Sequence, residues 1–326
     1  GSEMCIRDRH LKHKINIFFS CLLVLSLCAG CDKKSSPSTD EKKPKGSRDN
    51  IPVVLEPVWQ EEKQIGNDKI TFDLSNASEG YVMAAYTGDN PKVKVRIQNP
   101  ESSDYYTYDI TSGYNVFPLT GGNGTYTFIA YENITGTKYS QLFSQSETLQ
   151  IKNDYTTYLY PNQYVNFQKD SKAVAMSSEI VESANNDLDA VQYVYEYVVH
   201  TLEYDDDKAE KAKNGELAGY LPDVDSILQE KKGICFDYAA LMATMLRSQN
   251  IPTKMEIGYA NMEEGAVYHA WISVYIKDIG WIDDLIEFDG KNWSMMDPTL
   301  ISDSNNSKKM RKFTKDKSNY TTKYVY

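Results

Sequence analysis

Between Ile51 and Phe167 the apolar residues alternate with polar ones. Beyond Gln168 they recur every third or fourth position, and that change of period divides the chain. The first stretch holds short runs such as Lys69–Leu74, Tyr81–Ala85, Val93–Ile97, Tyr105–Ile110, Tyr126–Tyr131 and Thr148–Ile151. Gly88-Asp89-Asn90-Pro91, Gly121-Gly122-Asn123-Gly124 and Thr135-Gly136 separate them with turn residues. Tyr, Val, Ile and Thr at every second position, broken about every ten residues, predict an all-β, immunoglobulin-like sandwich over 51–167. Tyrosines such as those of Tyr105-Tyr106-Thr107-Tyr108 are expected to pack it, rather than form a sugar-stacking face.

In the second stretch Leu188, Val191, Tyr195 and Val198 share a helical face, with Asn185, Asn186 or Asp187 to cap it. A polar loop, Asp205–Gly219, and a short helix, Asp223–Glu230, follow. From Phe236 to Ser248 the chain is apolar nearly all round, which predicts a helix at the centre of a domain. Asn250-Ile251-Pro252 ends it, and strands are expected at Lys254–Ala260, Val267–Ile276 and Asn292–Asp297. Residues 168–326 therefore read as an α+β domain.

The N-terminus carries a different signal. Lys12-His13-Lys14 precedes an apolar run from Ile15 to Leu27 that is short for a membrane span and suits a secretory leader. Ala29-Gly30-Cys31 resembles the bacterial lipobox, although its leucine, Leu27, sits one place early. That resemblance implies lipidation at Cys31, a leader over 1–31 and a protein anchored at the extracellular face of a bacterial membrane. Residues 32–50 are rich in Lys, Ser, Pro and Asp and are expected to form a disordered tether. The chain of 326 residues has a net charge of −11, with one short basic stretch at Lys308–Lys317, which argues against a nucleic-acid partner.

Four of the five cysteines lie in the first 31 residues, leaving Cys235 alone in the part that folds. A lone thiol makes no internal disulfide, and with four histidines in the whole chain it makes no thiolate zinc site. No Asp-x-Asp-x-Asp-Gly calcium loop is present, so no metal or other cofactor is expected. Cys235 instead opens the buried helix, where unpaired N–H groups and the helix dipole favour a thiolate. Gly233 allows a tight turn into that helix and leaves room for a substrate; Lys231 and Lys232 add charge nearby. A base near neutral pH calls for histidine. His10 and His13 belong to the leader, and His200 follows an amphipathic helix where capping suits it. His269, in Val267-Tyr268-His269-Ala270-Trp271-Ile272, is left. Asp297, in Met295-Met296-Asp297-Pro298-Thr299, could orient it.

Gly233-Ile234-Cys235-Phe236-Asp237-Tyr238-Ala239, His269-Ala270-Trp271 and Asp297-Pro298-Thr299, in that order, resemble the core of the transglutaminase-like superfamily. The likeness runs from Val191 to Leu300 and takes in Leu202-Glu203-Tyr204-Asp205 and Asn250-Ile251-Pro252. It implies a papain-like fold with Cys235 as nucleophile, His269 as base and Asp297 as orienting acid, and sets Tyr204 on the oxyanion or substrate side. A departure is the added stretch Gly280–Asp289, whose Asp283 and Asp284 rival Asp297 and whose Trp281, with Trp271, is expected to line a substrate groove. The implied chemistry is thioester formation on a peptide or cell-wall peptide. Water as acceptor gives a peptidase or amidase, an amine gives a protein cross-linker. The competing reading is an inactive scaffold whose sandwich binds a cell-wall component.

Overall fold

The computed structural model describes residues 44–100, 102, 105–262, 265–288, 293–295 and 320–326. The leader, Cys31, Asp297 and the basic stretch Lys308–Lys317 lie outside the described residues.

The alternating first stretch forms two four-stranded antiparallel sheets. One contains β1 (Gln64–Gly66), β2 (Ile70–Asp73), β3 (Tyr81–Tyr86) and β6 (Tyr114–Pro118), in the order β1-β2-β3-β6. The other contains β4 (Val93–Gln98), β5 (Tyr105–Asp109), β7 (Gly124–Thr135) and β8 (Lys138–Leu149), in the order β5-β4-β7-β8. The inward residues of β4, Val93, Val95 and Ile97, are buried while Arg96 is exposed, as period-two patterning requires. Phe72 of the first sheet meets Phe128 and Phe143 of the second with ring centroids 5.4 and 5.9 Å apart, so the sheets pack face to face. The three-residue β1 is an edge strand; the remaining strands run β2-β3-β6 in one sheet and β5-β4-β7-β8 in the other. Tyr106 and Tyr108 are buried in the packing.

The second stretch begins with α1 (Lys172–Ile180) and α2 (Asp187–Thr201). Asn186 caps α2, its side chain accepting from the Asp189 N–H at 2.9 Å. The short β9 (Glu203–Tyr204) leads into α3 (Asp206–Lys213), a helix where a loop was expected. None of its residues is buried, so no apolar stripe announces it, and its cap is Asp205, which accepts from the Lys208 N–H at 3.0 Å. Next come α4 (Val224–Glu230), β10 (Lys232–Gly233) and α5 (Cys235–Arg247), the last buried from Asp237 onward.

A five-stranded antiparallel sheet closes the fold, in the order β14-β13-β12-β11-β15. Its strands are β11 (Thr253–Met262), β12 (Gly265–Ile276), β13 (Gly280–Phe288), β14 (Trp293–Met295) and β15 (Tyr320–Val325). The stretch Gly280–Asp289, read as an addition, holds β13, which pairs with β12 on one side and β14 on the other. Met255, Ile257, Ala270, Ile272 and Val274 join Leu241, Met242 and Met245 of α5 in one apolar cluster, which continues into the paired sheets through Tyr106 and Tyr108. Arg247 at the end of α5 is fully buried, and its guanidinium donates to the carbonyls of Thr253, Tyr160 and Tyr326 at 2.7–2.9 Å. Burial pulls its pKa from 12.5 down to about 9, which still leaves it charged at neutral pH.

Candidate active site

Cys235 is the first residue of α5, as its sequence position foretold, and is partly exposed. Two backbone features hold it there. The parallel pairing of β9 with β10 sets Tyr204 beside Gly233, two residues before the thiol. Asp237 then reaches back from the third helical position to accept the Ile234 N–H at 2.8 Å, fixing the turn that presents Cys235. A Cβ on Gly233 would meet the Asp237 Cβ at 2.6 Å. The glycine is thus required by the buried carboxylate, and the space expected for a substrate is taken by Asp237.

Asp237 itself was read only as part of a motif. It is wholly buried, yet accepts from Lys208 Nζ at 2.6 Å and from the Tyr220 hydroxyl at 2.6 Å. Lys208 comes from α3 and Tyr220 from the segment after it, so one carboxylate ties both to the nucleophile's turn. Of the nearby lysines, Lys232 is spent on Asp205 at 3.1 Å, and Lys231 ends α4 in the left-handed conformation at φ 54°.

The thiol sulfur faces the backbone N–H groups of Ala270, Phe236 and Cys235 itself. These favour a thiolate, but burial outweighs them and lifts the Cys235 pKa from 9.0 to about 11. His269, adjacent to Ala270 on β12, is buried and its pKa falls by desolvation from 6.5 to about 4. At neutral pH thiol and imidazole are both uncharged. Alternation along β12 turns Ala270 and Ile272 toward α5 and His269 to the other face with Trp271, whose ring stacks on the imidazole with centroids 6.5 Å apart. The contact between thiol and strand is therefore made by the main chain at Ala270.

Cys235 and His269 nevertheless line one cavity of about 600 Å³. Tyr204 joins them there, and burial holds its phenol well above the ordinary range, hence protonated. Further walls come from α3, from 215–221, from β11 and β15, and from Thr107 and Asp109 of β5. Trp281 does not line it: that ring packs on Tyr158 and Tyr275 and carries Lys254 Nζ 3.9 Å above it. Trp271 is fully buried behind His269, so neither tryptophan forms a groove wall. Asp283 lies in a bulge, where the pairing of β12 with β13 jumps from Ile272↔Ile286 to Val274↔Ile282. That position is opposite Ser273, about 13 Å along the strand from His269 at ~3.3 Å per residue. His200, as expected, caps α2, with Nδ1 2.6 Å from the Glu196 carbonyl oxygen.

Residues 174–283 match the transglutaminase-like superfamily. The match includes Cys235 and His269 and stops at Asp283, short of Asp297. Over 230 residues the chain is 25% identical to the UPF0252 protein of Methanocaldococcus jannaschii, covering 66% of this chain and 64% of that one. The aligned part thus spans less than two thirds of that relative. Among solved structures, a protein of Cytophaga hutchinsonii provisionally described as a cysteine protease gives a TM-score of 0.36 at 15% identity, over 76% of this chain and 83% of that one. Red sea bream transglutaminase gives 0.22 at 14%, over 68% and 48%.

Proposed function

From the premise that residues 174–283 are a transglutaminase-like domain, we propose that the protein is a cysteine-nucleophile amide hydrolase acting on a peptide. The observation that carries this reading is the setting of Cys235. Its thiol stands at the open end of a buried helix, where the N–H groups of Ala270, Phe236 and Cys235 favour its anion, and shares a cavity with His269.

In the proposed cycle the imidazole of His269 turns from Trp271 toward the shared cavity, and the sulfur attacks the amide carbon as the thiol proton passes to it. The new C–S bond leaves an oxyanion, for which the Cys235 N–H is the proposed donor, and the neutral Tyr204 phenol lies within the same cavity. Collapse breaks the C–N bond, and the amine departs with the proton held on His269. Water then adds to the thioester, giving its proton to the imidazole, and the carboxylic acid leaves as the thiol is restored. Because thiol and imidazole are both neutral at rest, this is general-base catalysis rather than attack by a standing ion pair. Asp297 is proposed as the acid that orients His269; the bulge position of Asp283 makes that residue the poorer candidate. Lipidation at Cys31, and with it a place outside the membrane, belongs to the same reading.

The test is incubation with peptide libraries, with and without an added primary amine, beside Cys235→Ala. Cleavage abolished in the variant supports hydrolysis. Amine incorporation abolished in the variant would replace water by an amine as acceptor, and no turnover under either condition would leave the scaffold reading.

A further inference from the structure

The cavity at Cys235 has a composition that selects among amides, and the inference rests on the nucleophile assigned above. Its walls are mostly aromatic and apolar. Tyr164, Tyr268, Tyr324 and Tyr326 line it together with Phe236 beside the thiol. These rings are held rigidly on one another: Tyr164 and Tyr326 lie 4.0 Å apart between centroids, and Phe236 meets Tyr164 edge-on at 5.9 Å. Such a lining is ordered before any ligand arrives, so little conformational freedom is lost on binding. Desolvation keeps the phenols of Tyr164, Tyr268 and Tyr326 above their ordinary pKa, hence protonated and neutral.

Charge narrows the choice further. Among the described residues that line the cavity, Asp109 is the one formally charged side chain, since His269 is neutral. Its carboxylate is already bridged by Lys94 Nζ at 2.6 Å. Lys208 is turned away to Asp237, and Lys232 to Asp205. No cation among these faces the cavity to receive a substrate carboxylate, and moving one from water into such a setting without a partner is costly. Asp109 sits on β5, so this bias comes from the paired sheets and not from the matched domain. With Thr107 and Gln163 it adds polar groups to a lining that is mostly aromatic and apolar.

We infer that the amide cleaved at Cys235 is flanked by an uncharged aromatic or bulky aliphatic residue, with acidic residues excluded there. The volume of about 600 Å³ suits one such side chain with its adjoining backbone, within the ordinary range of small-ligand sites. The paired sheets, on this view, are a specificity wall of the site.

The experiment uses N-acetylated aminoacyl chloromethyl ketones differing only in side chain: Phe, Leu, Lys or Glu. In each, the sulfur forms a bond to the chloromethyl carbon, chloride leaves, and the thiol proton goes to His269 or water. Second-order inactivation rates are measured on the full chain, with iodoacetamide as a side-chain-free control. Phe and Leu are expected to exceed Glu by about 30-fold or more, with Lys between, a ratio within the reach of pocket discrimination. Asp109→Asn should shrink the exclusion of Glu about fivefold, read as the ratio of the Phe to the Glu rate. Equal rates across the set, or Glu or Lys level with Phe, would overturn the inference while iodoacetamide still labels Cys235. Failure of iodoacetamide and of every ketone, up to pH 10, would instead bring down the nucleophile assignment, and the inference with it.

Discussion

The resting protonation of Cys235 can be tested directly by its alkylation rate as a function of pH. A thiol at its ordinary 9.0 is about 1% thiolate at pH 7, and one at about 11 is ~0.01%. That is a hundredfold loss of the reactive form. The more basic thiolate is also the better nucleophile; with a Brønsted slope of ~0.4–0.5 it recovers about eightfold. Iodoacetamide should therefore label Cys235 about tenfold more slowly at pH 7 than it labels an exposed cysteine in a short peptide. The logarithm of the rate should climb with unit slope from pH 6 to beyond pH 9. His269, at about 4, is unprotonated throughout that range, so His269→Gln should leave the profile unshifted. The assay is a stopped time course with mass detection of the carbamidomethyl adduct, on native chain and variant in parallel. A flat profile between pH 5 and 8, lost in His269→Gln, would refute the reasoning. It would mean that a thiolate–imidazolium pair exists at rest, and that the N–H groups at the sulfur outweigh burial.

Three further outcomes follow from the packing around the thiol. Lys208→Met strips the counter-charge from Asp237, whose carboxylate keeps two hydrogen bonds, and should cost about 2–4 kcal/mol by urea unfolding. In the Asp237→Asn background the same change should cost much less, and equal costs would remove the pair. Above pH 6.5 His269 is neutral in both folded and unfolded chains; as pH falls toward about 4 only the unfolded chain takes up the proton. Stability should therefore fall across that window by about 3 kcal/mol, a loss that His269→Gln abolishes. Gly233→Ala sets a Cβ 2.6 Å from that of Asp237, and the crowding should cost about 1–3 kcal/mol in thermal unfolding.

What could be read from the residues is what depends on short-range pattern. The apolar run after Cys235 yields α5 and its first residue, and alternation yields β4, which buries every second side chain, and the start of β7, where Tyr126 and Phe128 are buried to either side of Thr127. The elements that escaped lack a pattern of their own. In α3 the run Asp-Asp-Lys-Ala-Glu-Lys-Ala-Lys has no apolar stripe. β13 carries two adjacent acids and breaks its register at a bulge, so its alternation is lost. β15 pairs with β11, more than 60 residues earlier, as Ile257↔Tyr324 shows, and no local signal anticipates that partner. Asp237 looks like an ordinary acid in a first helical turn. It is buried because Lys208 and Tyr220 arrive from 29 and 17 residues away. The third acid remains an expectation on Asp297, which lies outside the described residues.

These long-range contacts share a direction. α3 has no apolar face with which to pack, yet Ala209 and Ala212 stand in the wall of the cavity. A polar link holds the helix there: half-buried Lys208 bonded to the buried Asp237. Asp237 also fixes the Ile234 N–H, so the helix that walls the cavity and the turn that presents the sulfur depend on one carboxylate. Loss of that link should loosen the wall first, since α5 keeps its apolar packing from Ala239 onward while α3 has no buried residue. A change confined to Lys208 should accordingly admit bulkier alkylating reagents to Cys235 more than it accelerates iodoacetamide. If both reagents gained equally, the wall would not depend on the link.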